Sequence, residues 1–478
     1  MVERKRFTVV DLFCGCGGLS RGLERTGRFQ SCFGVDINKA ALDTFIKNHG
    51  SAEKRPIGHL GDIREVQPEE IWAALAPYGI SEPGELDCLV GGPPCEGFSR
   101  NKVYTQRHDV DLDAAGITQV AAIEYKEKKY WQEAWKSNPI SDGAAQESSK
   151  TVRAYNPFLS DPRNFLFRAF LEHAEFLRPK LILIENVQQM LTHLGGSIAA
   201  EINERLAGMG YHSEARVLNS AEFGVPQVRK RAFFLAIRRD LLPSIRDLPW
   251  PLPTHSDAQA LGEGPESKHE SASLPGDLGA FVTVAEAIGD LPAARSVHDG
   301  NPPQPATDYP QATLSSFRRF VRSKTMTPDN HVYRTPSEQV MKRLRAMRPG
   351  MKAHEMPPEL QTKKFYYNAY GRLEWNKPSN TITKSFIYPG SGRFGHPEED
   401  RILSYREAAR LQSFDDDFVF YAKSQEGISH MIGSAVPPLL GFRFGQAIAA
   451  ALDQALCLEE SDQDSGEVRP ETRTRKFS

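Results

Sequence analysis

The stretch Phe7-Thr8-Val9-Val10-Asp11-Leu12-Phe13-Cys14-Gly15-Cys16-Gly17-Gly18 decides the fold. Its apolar, β-branched first half predicts a buried strand at residues 7–13. The glycines that follow predict a tight turn that opens a helix at residues 19–25. Strands and helices then alternate, with strands at residues 29–35, 87–90, 181–184 and 232–237 and a helix at residues 39–47. This alternation predicts an α/β fold built on a parallel sheet that is covered on both faces.

The overall composition is that of an ordinary folded protein. The 478 residues suffice for two or three domains, and the net charge of −2 argues mildly against a nucleic-acid binder, although a local basic face would be enough for one. The six cysteines are scattered without a recurring CxxC pair, so we expect reduced thiols and no metal site. Neither a signal peptide nor an apolar run of about 18 residues is recognisable, which favours a cytoplasmic protein without membrane contact.

Two regions interrupt the alternation. Residues 101–160 are polar, with an aromatic and charged helical piece around residues 125–135, and form an insertion. Residues from about 250 to 385 are rich in Pro and Gly and predict a second domain of short strands or irregular structure. Within it, residues 317–352 carry ten Lys or Arg against two acids. This excess indicates either a solvated basic face or contact with nucleic-acid phosphates, and the sequence leaves both open.

The glycine turn is the first candidate ligand site. A helix N-terminus presents unpaired N–H groups and glycine lets a ligand approach the backbone, although many such turns are only tight loops. Asp36 ends the second predicted strand 21 residues after Gly15, at the interval where an acid can hold ribose hydroxyls, and Asp62 could lie near an adenine amino group. These features fit NAD and S-adenosylmethionine alike. Ser20 stands where the dinucleotide fingerprint has its last glycine, which argues against NAD.

A second candidate group combines a thiol, a carboxylate and two guanidinium groups. Cys95 follows two prolines after a predicted strand, so a stiff turn would hold its thiol at the edge of the sheet, whereas a lone cysteine is more often an inert core residue. Glu185 ends another strand, where it could equally cap a helix or form an ion pair. If residues 227–231 are extended, their period-two spacing places three polar side chains on one face, those of Gln227, Arg229 and Arg231.

These residue types suit methylation of cytosine at carbon 5. Carbon 5 is a poor nucleophile, and attack by a thiolate at carbon 6 makes it enamine-like. A carboxyl group bonded to ring nitrogen 3 and the 4-amino group would stabilise that adduct, and arginine can bind the carbonyl at position 2. Carbon 5 then takes a methyl group from a sulfonium, a base removes the hydrogen at carbon 5, and the thiol leaves.

The order and content of these motifs closely resemble the cytosine-C5 DNA methyltransferase family, of the bacterial or phage modification type, over residues 7–455. Six segments carry the resemblance, at residues 11–18, 91–99, 185–187, 227–231, 376–382 and 433–438, and residues 396–397, 401–403 and 406–414 are also similar to the family. The resemblance implies a Rossmann-like sheet of the S-adenosylmethionine-dependent methyltransferases, with a smaller target-recognition domain inserted late in the chain.

The resemblance also implies domain boundaries. They are a catalytic, cofactor-binding domain at residues 1–252 with the insertion at 101–160, a target-recognition domain at 253–385, completion of the catalytic domain at 386–457, and a disordered tail at 458–478. The helix after Pro438 would return to pack beside the first strand and complete the cofactor pocket. The insertion would either enlarge a mobile loop that closes over flipped DNA or add a surface lobe.

Residue roles follow from the resemblance position by position. Cys95 would be the nucleophile and Glu185 the stabilising acid, while Arg229 and Arg231 would position the base and the active-site loop. The S-adenosylmethionine site would be lined by Phe13, Gly15, Gly17, Gly18, Asp36, Ile37, Asp62, Ile63, Pro93 and Ser434. Two residues depart from the family pattern. Glu96 replaces a usual Gln and could raise the pKa of the Cys95 thiol, and Ser434 replaces a usual Asn beside the cofactor.

The expected partner is double-stranded DNA, bound by a monomer that acts either beside a cognate restriction endonuclease or as an orphan methylase. Two other functions are weighed against this one. A branch of the family methylates a transfer RNA but lacks a large recognition domain, so the roughly 130 residues between the fourth and fifth of the six segments favour DNA. A catalytically dead binding module is disfavoured because Cys95, Glu185, Arg229 and Arg231 are all present.

Overall fold

The structure is a computed structural model that describes residues 6–51, 53–94, 165–245, 247–257, 278–297, 314–322, 328–361 and 368–464. The predicted insertion at 101–160, together with Cys95 and Glu96 of the predicted catalytic turn, lies outside the described residues. The described part of the chain is built on a seven-stranded sheet with helices on both faces, which confirms the predicted α/β class.

The central sheet is mixed. The short strand β7 (Gln227–Val228) lies outside this sheet. The seven strands of the sheet are β1 (Phe7–Leu12), β2 (Phe29–Asp36), β3 (Ile57–Leu60), β4 (Cys88–Gly91), β5 (Leu181–Val187), β6 (Tyr211–Asn219) and β8 (Lys230–Arg238). They lie in the order β3-β2-β1-β4-β5-β8-β6, in which β1 to β5 are parallel and β8 is antiparallel to β5 and β6. The prediction of a fully parallel sheet is wrong at this edge, because the short connection at residues 220–229 reverses the chain.

The first half has five helices, of which the first two were predicted from the sequence to within one residue at their ends and the other three were not. They are α1 (Gly18–Arg25), α2 (Lys39–Asn48), α3 (Pro68–Leu75), α4 (Leu166–Leu177) and α5 (Ser197–Gly208). α2 begins where the side chain of Asn38 accepts hydrogen bonds from the backbone N–H groups of Ala40 and Ala41, at 3.0 and 3.2 Å. Such an N-cap satisfies donors that have no partner inside the helix.

The second half has shorter elements, as its Pro and Gly content predicts. The strands are β9 (His255–Ser256), β10 (Gly279–Ala280), β11 (Arg295–Ser296), β12 (Val332–Tyr333) and β13 (Ser379–Asn380). The helices are α6 (Val284–Ile288), α7 (Ser316–Val321), α8 (Glu338–Ala346), α9 (Tyr405–Leu411), α10 (Gln425–Ser434) and α11 (Pro438–Asp464). β13 pairs with β7, so the segment after residue 376 returns to the central sheet region. The domain boundaries themselves stay a prediction.

The strands of the sheet divide their side chains between two cores. Val9 of β1 packs in one core with α1 and α11, and Val10 packs in the other core with α3, α4 and α5. The same alternation separates Leu235 from Phe234 on β8. Because side chains alternate between the two faces of a strand, a run without polar residues is required where both faces are covered.

Helix α11 packs against α1 through glycines on both helices. A Cβ atom at Gly22 would lie 2.2 Å from the carbonyl oxygen of Pro438, and one at Gly441 would lie 2.7 Å from that of Leu19. Phe444 of α11 also contacts Phe233 of β8, with ring centroids 5.0 Å apart. The helix after Pro438 therefore returns to the sheet, as expected, but it lies against α1 and β8.

Two features of the end of the chain complete the fold. Helix α11 continues to Asp464, beyond residue 458, where the tail was expected to begin. Of the described residues, one stretch at Gln425–Cys457 is long and apolar enough to cross a membrane, and 72% of its most apolar window is buried inside the protein. That burial is typical of a helix that belongs to the core.

Much of the basic segment at residues 317–352 is engaged within the protein. The carboxylate of Asp290, which is fully buried, pairs with Arg322 at 2.6 Å and with Arg410 of α9 at 3.1 Å. Arg318 donates to the carbonyl oxygen of Ala285 at 2.9 Å. These arginines hold α6, α7 and α9 together, so the excess of positive charge is in part a structural network and is not wholly available to phosphate.

Candidate active site

The turn after β1 uses its three glycines for different purposes. Gly15 and Gly17 have φ angles of 54° and 86°, which favour glycine. A Cβ atom at Gly15 would have no neighbour within 4 Å, whereas one at Gly17 would lie 2.3 Å from His49 Cε1. A Cβ atom at Gly18 would lie 2.3 Å from the carbonyl oxygen of Val436. Only the first glycine of this turn therefore leaves open space that a ligand could fill, while the other two allow close packing of the chain.

Asp36 binds the glycine turn from the end of β2. Its carboxylate accepts the backbone N–H of Gly15 at 2.8 Å and that of Asn38 at 2.7 Å. Burial raises the pKa of Asp36, while these two hydrogen bonds lower it. The next residue, Ile37, is 75% exposed, which is unusual for a large apolar side chain beside a built turn. Asp36 thus provides hydrogen-bond acceptors, and Ile37 an apolar surface, next to the open space at Gly15.

Asp11 is a buried acid at this turn that the sequence interpretation did not single out. It is the penultimate residue of β1, and its carboxylate accepts a hydrogen bond from the hydroxyl of Ser20 in the first turn of α1. Burial, with the nearby charge of Asp36, raises the pKa of Asp11 to about 7, against the lowering effect of the Ser20 hydrogen bond. Its position in the sequence, an acid near the end of a strand and just before a glycine turn, could have identified it as a candidate site residue. Its bond to Ser20 ties β1 to α1.

The segment after β3 places its two predicted cofactor residues differently. Asp62 is partly exposed, and its carboxylate is paired with Arg64, whose Nε atom lies 2.7 Å from Oδ1. The side chain of Ile63 is only 2% exposed and packs in the core. It can therefore support the residues that line a pocket, but only its backbone could contact a ligand. Arg64 was not predicted as a site residue.

The start of the predicted catalytic turn lies against the end of β5. A Cβ atom at Gly92 would lie 3.2 Å from Glu185 Oε2, so this glycine leaves room for the carboxylate. The side-chain amide of Asn186 donates to the carbonyl oxygen of Pro93 at 3.1 Å and fixes the turn two residues before Cys95. Asn186 was part of a quoted motif but was not proposed as a site residue. Cys95 itself lies outside the described residues.

Glu185 is buried and faces a single close arginine. Its side chain lies 3.2 Å from Nε of Arg231, measured from Oε1, and the residue is 9% exposed. Burial raises the pKa of Glu185, and the charges of Arg231 and then Arg229 act in the opposite direction. A carboxyl group in these surroundings can take up or share a proton more readily than an exposed one.

Arg229 has a different role from Arg231. It is 1% exposed, and its two Nη atoms donate to the carbonyl oxygens of Ile382 and Gly433, each at 3.1 Å. Gln227 lies on the same face, where its side-chain oxygen accepts the backbone N–H of Ile382 at 2.8 Å. The predicted alternation of residues 227–231 agrees with these contacts. Arg229 and Gln227 therefore join two sequence segments behind the Glu185–Arg231 pair.

Ser434 ends α10, and its hydroxyl donates to the carbonyl oxygen of His430 at 2.7 Å within the same helix. The residue is exposed, and the backbone beside it, at Ala435 and Val436, packs on Gly18 of the glycine turn. The residues that follow Ser434 therefore lie at the glycine turn, whereas the hydroxyl of Ser434 itself is hydrogen-bonded within its own helix.

The two groups of residues occupy one edge of the sheet. β1, β2, β3, β4 and β5 are parallel, so the residues that follow them lie at a common carboxyl edge, which is where ligands bind in such sheets. The first group consists of Gly15, Asp36 and Ile37, and the second of Gly92, Glu185 and Arg231. In the described part of the chain, no cluster of three His, Cys, Asp or Glu side chains is arranged to bind a metal ion.

Known proteins are similar to this chain over most of its length. DNA (cytosine-5)-methyltransferase 1A of Oryza sativa subsp. japonica is 28% identical over 490 residues, which cover 93% of this chain and 28% of the rice protein. Type II methyltransferase M.AgeI of Thalassovita gelatinovora is 27% identical over 500 residues, which cover 93% of this chain and 99% of that protein. This chain thus spans well under a third of the plant relative but nearly the whole of the bacterial one.

A solved structure supports the fold. It is that of a DNA modification methyltransferase encoded within a prophage of E. coli, with a TM-score of 0.60 and 19% identity, covering 94% of this chain and 99% of that one. The C-5 cytosine-specific DNA methylase family matches residues 7–141 and 154–450. Because this match covers most of the chain, the chain belongs to the C-5 cytosine-specific DNA methylase family.

Proposed function

We propose that this protein transfers a methyl group from S-adenosylmethionine to carbon 5 of a cytosine in duplex DNA. The observation that carries the proposal is the buried Glu185–Arg231 pair, which lies against Gly92 at the start of the turn leading to Cys95. The Gly15–Asp36 turn lies at the same edge of the sheet. A nucleotide-binding turn beside a polarised carboxyl group and a cysteine is the combination that this reaction requires.

The residues of the glycine turn fit S-adenosylmethionine. The open space at Gly15 admits a ligand, Asp36 has acceptor capacity for ribose hydroxyls beyond its two backbone bonds, and the exposed Ile37 can pack against an adenine ring. When bound, S-adenosylmethionine supplies an electrophilic methyl group. The remaining contacts of the proposed site come from Phe13, Gly17, Gly18, Asp62, Ile63, Pro93 and Ser434.

The catalytic residues have distinct proposed roles. The Cys95 thiolate gives an electron pair to carbon 6 of the cytosine, and the ring electrons shift towards carbon 5. Carbon 5 would then bond to the methyl group, while the bond from that group to the sulfonium sulfur would break and leave its electron pair on that sulfur. Glu185, whose pKa is raised by burial, shares a proton with ring nitrogen 3, and Arg231 orients that carboxyl group. A base then takes the proton from carbon 5, the sulfur–carbon bond breaks, and the thiolate leaves with its electron pair.

Arg229 is proposed as a positioning residue. Its bonds to the carbonyl oxygens of Ile382 and Gly433 fix the wall behind Arg231, and its own guanidinium is buried away from solvent. Its contribution to the reaction is therefore to hold Arg231 and the adjoining segments in place.

Duplex DNA is the proposed substrate, in a specific sequence read by the target-recognition domain at residues 253–385. A stacked cytosine must be flipped out to reach Glu185, at a cost of a few kcal/mol that contacts with the DNA backbone offset. The near-complete coverage of M.AgeI, whose name makes it a Type II methyltransferase, supports a modification enzyme. We further propose that it acts as a monomer in a bacterial cytoplasm, with or without a cognate endonuclease. The length of the second domain favours DNA over transfer RNA.

A methyl-transfer assay tests this function. Purified protein is incubated with S-adenosylmethionine carrying a labelled methyl group and with duplex DNA of mixed sequence or with bulk transfer RNA. We expect label in 5-methylcytosine of the DNA and none in the RNA, and bisulfite sequencing of the product then gives the target sequence. Label in the RNA alone, or in neither polymer with folded protein that binds the cofactor, would contradict the proposal.

A further inference from the structure

We infer that Arg64 is a positioning residue of the cofactor site, which fixes the carboxylate of Asp62 as the acceptor for the amino group of the adenine ring. The inference rests on the proposed function, since it assumes an adenosyl cofactor. It adds a residue that neither the motif pattern nor the comparisons assign.

The contacts between the two residues leave Asp62 little freedom. Oδ1 of Asp62 accepts Nε of Arg64 at 2.7 Å and the backbone N–H of Arg64 at 3.1 Å, and Oδ2 accepts Nη2 of the same guanidinium. The backbone turn is closed by the N–H of Glu65, which donates to the carbonyl oxygen of Asp62 at 2.9 Å. A two-point contact of this kind fixes the plane of a carboxylate as well as its position.

One acceptor position of the carboxylate is left for a ligand. Each carboxylate oxygen can accept two hydrogen bonds, and Arg64 uses both on Oδ1 and one on Oδ2. Among the described residues no other donor bonds to Oδ2, and the Asp62 side chain is 20% exposed. The remaining position on Oδ2 matches a single N–H donor such as one hydrogen of an exocyclic amine.

The location of Asp62 fits an adenine ring. Asp62 follows β3, and Leu60, the last residue of that strand, lies beside Asp36, the last residue of β2. Leu60 and Ile37 are both large apolar residues left exposed there. An apolar surface next to one acceptor whose direction is fixed is what selective binding of a flat, amine-bearing ring requires.

Arg64 also keeps the acceptor ionised. It lowers the pKa of Asp62 mainly through the side-chain hydrogen bond, against the raising effect of partial burial. If Arg64 is removed, the pKa of Asp62 should rise, and the ionised acceptor should be lost at a higher pH than in the wild type.

The test is a double-mutant cycle read by calorimetry without DNA. The binding of S-adenosylhomocysteine is measured for the wild type, Arg64→Gln, Arg64→Lys, Asp62→Asn and the double variant Asp62→Asn with Arg64→Gln. Arg216→Gln, which breaks an ion pair of the same residue spacing with Glu214 on β6, is the matched control. A residue that acts through another shows no additional effect once that other residue is altered.

We expect Arg64→Gln to weaken binding by about tenfold at pH 7.5. Arg64→Lys should lie between the wild type and Arg64→Gln, and the double variant should match Asp62→Asn within about twofold. The control should bind like the wild type.

Three results would overturn the inference. Tighter binding by Arg64→Gln would mean that Arg64 competes with the ligand for Asp62. Equal losses in both backgrounds would mean that Arg64 acts without Asp62, and an unchanged affinity would remove its role altogether. A wild-type protein that binds no S-adenosylhomocysteine would instead contradict the proposed function on which the inference rests.

Discussion

Glu185 and Arg229 both belong to the predicted group of a thiol, a carboxylate and two guanidinium groups, but their surroundings differ. The carboxyl group of Glu185 lies beside Gly92 and Arg231, where a cytosine base could bind. Both Nη atoms of Arg229 donate hydrogen bonds to backbone carbonyl oxygens. The alternation along residues 227–231 could predict the shared face. It could not predict which arginine is used for packing, because that depends on segments more than 150 residues away in sequence.

Asp11 gives a prediction at the same scale. Its pKa is raised by burial from the usual 3.8 to about 7, so the folded protein binds a proton that the unfolded chain releases above pH 4. The resulting stability is fully present below pH 3.8 and is lost as the pH rises through 7. Asp11→Asn keeps an acceptor for Ser20 and removes this titration. The variant should therefore gain up to about 4 kcal/mol relative to the wild type between pH 4 and pH 8.

Urea unfolding of the wild type and of Asp11→Asn at pH 5 and pH 8 measures this effect. The difference in unfolding free energy between the two proteins should favour the variant more at pH 8 than at pH 5. If both proteins respond to pH equally, Asp11 is ionised in the folded state and the assignment is wrong.

At the scale of elements, the crossing of α1 and α11 links the cofactor turn to the end of the chain. Gly18 and Gly22 on α1 meet residues 436–442 with no room for a Cβ atom. α1 therefore has a fixed position relative to α11, and the glycine turn at its N-terminus is fixed with it. The sequence could predict both helices from their apolar spacing. Their close approach could not be predicted, because a glycine in a helix carries no sign of the neighbour that requires it.

Gly22→Ala tests the importance of this crossing. The added methyl group would lie 2.2 Å from a backbone oxygen, which has little freedom to move, so we expect a loss of about 1–3 kcal/mol in unfolding free energy and weaker cofactor binding. Gly208→Ala on α5 is the control, because its Cβ atom would have no neighbour within 4 Å. That variant should be neutral or slightly more stable, since alanine favours helix over glycine. Equal effects of the two substitutions in thermal unfolding and calorimetry would argue against the crossing.

For the whole molecule, the sequence predicted the α/β class, the first four elements and several residues at the carboxyl edge of the sheet. It missed β6, and it predicted β8 as a strand without its antiparallel direction, because an apolar run predicts a strand but not its direction. It left open whether the basic segment is a solvated face or contacts phosphate, because it could not show that Arg322 pairs with the buried Asp290. Both points concern long-range pairing, whereas most of the candidate site residues stand next to the end of a strand, which the sequence could predict.

The central claim is that Cys95 forms a covalent bond with the target cytosine. Duplex DNA containing 5-fluorocytosine at the target position cannot lose fluorine from carbon 5, so the methylated adduct should persist. With S-adenosylmethionine, the wild type should form a complex that survives denaturing electrophoresis, and peptide mapping should place the adduct on Cys95. Cys95→Ala should form none while binding S-adenosylhomocysteine as the wild type does. An adduct on another residue, or trapping by Cys95→Ala, would contradict the account.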